Sequence, residues 1–109
     1  MAHFYRYETA GITLNFTPTA VLEDYEKIIV SLRQNGNIQI DKDESELGID
    51  VENGTILINL SQEETGKFEG NSKILVQVNI YYDDESRNVS TIGEIQVYDN
   101  LYKKVITNE

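Results

Sequence analysis

The sequence predicts an all-β sandwich, and three observations predict it. β-Branched and aromatic residues recur in short runs that alternate with polar ones, which is the period of a half-buried strand. The only proline, Pro18, and two Asn-Gly pairs punctuate the runs, so that turn signals arrive about every 8 to 12 residues. The 109 residues are enough for one core and leave no room for a second domain.

Taken in order, His3–Glu8 and Ile12–Phe16 read as strands, separated at Thr9-Ala10-Gly11 by a kink or bulge that lets an edge strand pass between sheets. Pro18 then holds the chain to a loop or edge. Tyr25–Gln34 sets Glu26, Ile28, Val30 and Leu32 on one side, and the last three of these face the core. Asn35-Gly36 supplies the two positive-φ residues of a type I′ turn, so Asn37–Asp41 returns antiparallel. Leu47, Ile49 and Val51 alternate inward up to Asn53-Gly54, and Ile56, Ile58 and Leu60 do the same on the way back, giving a second hairpin.

Ser61-Gln62-Glu63-Glu64 has the form of a capping box and predicts one short helical turn, stopped by Gly66 and Gly70, with Phe68 packed beneath it. Lys73–Tyr82 is the strongest strand, burying Ile74, Val76, Val78, Ile80 and Tyr82. Asp83–Asn88 turns, and Val89–Tyr98 returns as a third hairpin. The strand number and length fit an immunoglobulin-like antiparallel β-sandwich of seven to eight strands over residues 1–100, followed by a C-terminal tail, 101–109.

Composition narrows function. Nineteen acidic residues against nine basic ones give a formal charge of −10, which repels phosphate backbones and anionic lipid, so neither nucleic acid nor a membrane surface is an expected partner. With no cysteine the fold rests on packing and backbone pairing. No run of apolar residues is long enough to span a bilayer, and the Met1–Arg6 start carries no export signal, so synthesis and release in the cytosol are expected.

No catalytic constellation stands out. His3 is the only histidine, at a terminus expected to fray, and no carboxylate is marked out as a buried acid. Asp41-Lys42-Asp43-Glu44-Ser45-Glu46 with Glu52 has oxygen ligands at alternate positions, as calcium loops do. It lacks the central glycine, however, and Lys42 opposes a cation, so it reads as a solvated hairpin loop. Asp83-Asp84-Glu85 is a second acidic turn, able to share a cation with the first only if the fold joins them. No enzyme activity, metal, cofactor or small-molecule substrate is therefore expected. Seven tyrosines (5, 7, 25, 81, 82, 98 and 102) are either ring surfaces for a sugar or protein partner or ordinary strand residues, with Tyr81 and Tyr98 placed to pair across the sheet. Three Asn-X-Ser/Thr tripeptides, at Asn15, Asn53 and Asn88, follow from the composition alone.

From Gln34 onward, about two-thirds of the chain resembles a group of small phage- and prophage-encoded proteins related in pattern to the immunoglobulin-like domain of baseplate upper proteins. Leu60-Ser61-Gln62-Glu63-Glu64-Thr65 with Phe68 is similar to the group's Leu-Thr-Gln-Glu-Glu-Thr signature, and Val76-Gln77-Val78 to its apolar-Gln-apolar strand. Ser90, Ile95 with Val97, and Leu101 with Val105-Ile106 follow in order. Ser61 replaces the usual threonine, Gly66 a common leucine, and Lys104 a glycine. The resemblance implies a non-enzymatic structural or accessory virion protein of the tail or baseplate region. Its partners would be other phage structural proteins or further copies of itself. Leu101, Tyr102, Val105 and Ile106 are the candidate docking residues, unless the tail is a strand extension packed on its own domain. A cell-surface or glycan-binding module is the alternative.

Overall fold

The computed structural model describes residues 2–107. In chain order its elements are β1 (His3–Tyr5), β2 (Ala10–Asn15), β3 (Tyr25–Gln34), β4 (Ile38–Asp43), β5 (Leu47–Asp50), β6 (Thr55–Leu60), α1 (Gln62–Gly66), β7 (Ser72–Tyr82), β8 (Arg87–Val89) and β9 (Gly93–Tyr98). Short 3-10 turns cover Thr19–Leu22 and Glu44–Glu46. The larger sheet has the order β1-β9-β7-β3-β4, with β8 beside the far end of β7, and the smaller has the order β2-β6-β5. This division of consecutive strands between two sheets is that of an immunoglobulin-like sandwich.

The alternating pattern does what its period demands. Ile28, Val30 and Leu32 of β3 and Ile74, Val76, Val78 and Ile80 of β7 are buried, facing Ile56, Ile58 and Leu60 of β6. One end of the sandwich is closed by Phe68, just after α1, with its ring centroid 6.0 Å from that of Phe4. At the other end Leu22 is fully buried and the Tyr82 hydroxyl donates to the Val21 carbonyl at 2.6 Å.

Four expectations change. Among the described residues there are nine strands, and β1 pairs with β9 in parallel, so the sandwich is not wholly antiparallel. The first strand stops at Tyr5 because the chain crosses between sheets over Arg6–Thr9, earlier than expected, with Tyr7 at φ +66° and the Glu8 carboxylate accepting the Tyr5 amide. The run Val89–Tyr98 is two strands: β7 pairs with β8 over Asn79–Tyr81 and with β9 over Ser72–Val76. Ser90 bridges that break, its hydroxyl accepting the Val78 amide at 2.9 Å where a ladder carbonyl would have stood. Glu26 is exposed and does not share the inward side of β3, because the pairing with β7 shifts between Tyr25 and Lys27. A bulge there turns it out.

The turns hold with one adjustment. Asn35 and Gly36 take φ of +54° and +77°, as a type I′ turn requires, but Gln34 pairs with Ile38 and leaves Asn37 as an extra residue. The box at Ser61 is formed in both directions: the Glu64 amide donates to the Ser61 hydroxyl and the Glu64 carboxylate accepts the Ser61 amide. Gly66 has a steric reason to differ from leucine, since an added Cβ would run into the Tyr7 ring.

Gln34 is a buried polar residue on β3. Its amide nitrogen donates to the Glu69 carbonyl at 2.9 Å and its oxygen accepts the Glu69 amide at 2.6 Å, so one side chain acts as a strand partner for the loop entering β7. Gln34→Ala leaves both backbone groups without that partner. A loss of about 1–3 kcal/mol in chemical unfolding is expected.

Candidate functional site

The outer face of the larger sheet carries the first candidate surface. Lys27, Ile29 and Ser31 of β3, Gln39 and Asp41 of β4, Asn79 and Tyr81 of β7 and Arg87 of β8 surround an open depression of about 660 Å³. These residues point outward because their alternates, Ile28, Val30, Ile40 and Ile80, fill the core. Five of the polar side chains here are engaged with each other. Ser31 and Gln39 both donate to Asp41, and the Arg87 guanidinium donates twice to the Asn79 side-chain oxygen, at 2.7 and 3.0 Å.

A second surface lies along β1 and β9. The Tyr5 and Tyr98 rings lie 5.3 Å apart, and the His3 ring packs edge-on against Tyr98 at 5.6 Å. His3 stands in a paired strand, opposite Gln96. Tyr98 pairs with Tyr5 because the parallel register sets those two opposite each other, whereas Tyr81 faces Lys27 and Arg87 at the other end of the sheet. Three tyrosines serve the fold: Tyr82 at the closed end, Tyr25 opposite it on β3, and Tyr7 between Gly66 and the Arg6 guanidinium, which lies 5.3 Å from its ring centre.

The acidic loop does not assemble a cation site. Asp43 caps the 3-10 turn instead, accepting the Ser45 amide, and Glu46 reaches back to the Asp43 amide in a second capping box. The Ser45 hydroxyl and amide hold the Asp43 carboxyl below its ordinary value. Among the described residues no group of three histidine, aspartate or glutamate side chains comes together as metal ligands, in either acidic loop or between them.

Lys42 turns inward at the open edge of β4. Its ammonium meets the Glu64 carboxylate at 2.7 Å, with Glu46 at 4.0 Å, and the residue is almost wholly buried. Burial opposes the charge on Glu64, but the Lys42 ammonium and the Ser61 amide outweigh it, and the Glu64 carboxyl sits below its ordinary 4.5. The loop residue read as opposing a cation is thus the bolt between β4 and α1. Nothing in its immediate sequence marks the partner, which lies 22 positions on (64 − 42).

The tail is the third surface. Asp99 accepts from Arg6 at 3.2 Å and pairs with Lys103 at 3.1 Å, while the Asn100 side chain donates to the Arg6 carbonyl. Farther on, Gln62 donates to the Ile106 carbonyl at 3.1 Å and accepts the Ile106 amide at 2.8 Å. The backbone is anchored at both ends, yet the segment joins neither sheet, so it is not a strand extension. Leu101, Tyr102, Val105 and Ile106 are all exposed, Leu101 completely and Ile106 at 69%. Residues 108 and 109 of the tail lie outside the described residues.

The folded state holds Glu64 ionised more firmly than the unfolded chain does. Its contribution is therefore complete above about pH 4.5 and is lost as pH falls through the lower folded value. Lys42→Met should destabilise the domain by about 1–2 kcal/mol near neutrality and flatten this acid limb in thermal melts taken from pH 6 to pH 3.

No protein-family model matches the chain, and no curated protein matches it.

Proposed function

We propose that this domain is a non-enzymatic phage or prophage virion component, of the tail or baseplate region, that acts through protein contacts. The observation that carries the contact role is the tail: a backbone fixed by Asp99, Asn100 and Gln62 that presents four apolar side chains to solvent. Exposed apolar side chains on an ordered segment mark docking sites. The virion context rests on the similarity at Leu60–Thr65, Phe68 and Val76–Val78, where Ser61 and Glu64 cap α1 and Phe68 closes the core. No helix among the described residues is long and apolar enough to cross a membrane.

A second reading, glycan binding, is favoured by the exposed Tyr5 and Tyr98 rings beside His3, a platform on which a sugar face can stack. A glycan array probed with and without calcium separates the two readings. Binding that Tyr98→Ala abolishes would support the second.

Mass spectrometry of purified, induced particles should find the chain, and its absence from them would count against the virion role. Leu101→Asp with Tyr102→Asp should leave the unfolding midpoint unchanged within about 0.5 kcal/mol, because neither side chain is buried. The same pair of changes should remove the domain from particles. Normal incorporation of the double variant would show that the tail is not the docking segment.

A further inference from the structure

The longest stretch without a charged residue runs from Thr9 to Leu22, in a chain where 26% of residues are charged, and it contains β2, an outer strand of the smaller sheet. The other outer strands are each blunted. β1 and β8 have three residues each, β5 has four and ends in Asp50, and β4 carries Asp41 and Asp43 with Lys42 turned inward. Shortness and inward charge are the means by which sheet edges avoid further pairing. β2 has neither.

The phase of its hydrogen bonds is fixed. The Phe16 amide donates to the Gly54 carbonyl at 2.8 Å, so residues of the same parity, Ala10, Ile12 and Leu14, direct their backbone groups to β6. Gly11, Thr13 and Asn15 therefore present theirs at the open edge. No side-chain hydrogen bond among the described residues reaches these three backbones. On the core face, Leu14 and Phe16 are only half-buried, and with Val76, Val78 and Thr91 they border an open depression of about 470 Å³ between β2 and the larger sheet.

We infer that β2 is a self-association edge that pairs antiparallel with β2 of a second copy about a two-fold axis through Thr13. In that register Thr13 opposes Thr13 and Gly11 opposes Asn15, each pair exchanging both backbone hydrogen bonds through groups that already point outward. On the core face Ile12 then meets Leu14 and Ala10 meets Phe16, continuing the apolar row across the axis. A slip of one residue would set core-facing side chains against solvent-facing ones, so the register is unique in parity. Charge selects a second copy as the occupant. Two chains of −10 repel over most of their surface, and the uncharged edge is where two copies approach without opposing like charges. The contact is isologous and closes as a dimer. This inference holds for the isolated domain and does not depend on the virion reading.

Sedimentation velocity on the full chain over a dilution series tests it. A species of twice 12.5 kDa should grow with concentration and should strengthen with salt, which screens the repulsion. Thr13→Lys sets two ammonium groups opposite each other from an exposed position, and association should weaken about tenfold with an unchanged melt. Gln39→Lys, on β4, should leave association unchanged. Because the chain has no cysteine, Thr13→Cys should give a disulfide-linked dimer on mild oxidation, since opposed residues of a hydrogen-bonded pair stand about 5.5 Å apart. Gln39→Cys should not. A chain monomeric at every concentration, or a Thr13→Cys variant that links no faster than Gln39→Cys, overturns the inference. So does a dimer that survives Thr13→Lys but is lost on deleting residues 101–109, which would assign the contact to the tail.

Discussion

The larger sheet depends on β7. Along one side it pairs with β3 from Arg33 back to Tyr25, and along the other it is shared between β9 and β8. A strand with partners on both sides exposes no backbone of its own, and its inward face of Ile74, Val76, Val78 and Ile80 runs the length of the core. The outward surfaces take their positions from it: Tyr81 meets Lys27 and Arg87 at one end, and β9 carries Tyr98 to Tyr5 at the other. The change of partner at Ser90 lets two short strands serve one long one, with a side-chain hydroxyl filling the gap in the ladder.

What the sequence made legible follows from how local each signal is. The period-2 pattern of β3, β6 and β7, the positive φ of Asn35-Gly36 and the box at Ser61 are settled within a few residues, and all are present. Asp43-Glu44-Ser45-Glu46 carries the same cap-and-return spacing as Ser61–Glu64, but its acidity reads as that of a solvated hairpin loop and hides the cap. The parallel pairing of β1, the bridge from Lys42 to Glu64 and the grip of Gln34 on Glu69 join residues far apart in the chain. No periodicity encodes such a contact. The tail's apolar residues were legible as candidates, but not the means by which they are held, because Gln62 lies 44 positions before Ile106.

The margins of the molecule differ in kind. At β4 a charge faces inward and is neutralised by α1, which ties the edge of the larger sheet to the connection between β6 and β7. The far end relies on close backbone approach: Gly54, at φ +65°, lies so near Thr19 that a Cβ would stand 2.8 Å from it. Any side chain at residue 54 would therefore force the 3-10 turn at Thr19 to shift. The edge of β2 has neither device, and its backbone remains free on the open side.

The Gln62 side-chain amide grips one residue, Ile106, through two hydrogen bonds in the open, donating to its carbonyl and accepting its amide. Such a latch adds little to folding, because water competes for both bonds. Its effect is entropic. Each residue of a free tail that must be ordered on binding costs about 1–2 kcal/mol of backbone freedom, and the segment from Asp99 to Ile106 has surrendered part of that freedom in advance. A protein that takes hold of the tail meets side chains already displayed, so its own contacts need be neither extensive nor strongly charged to hold it.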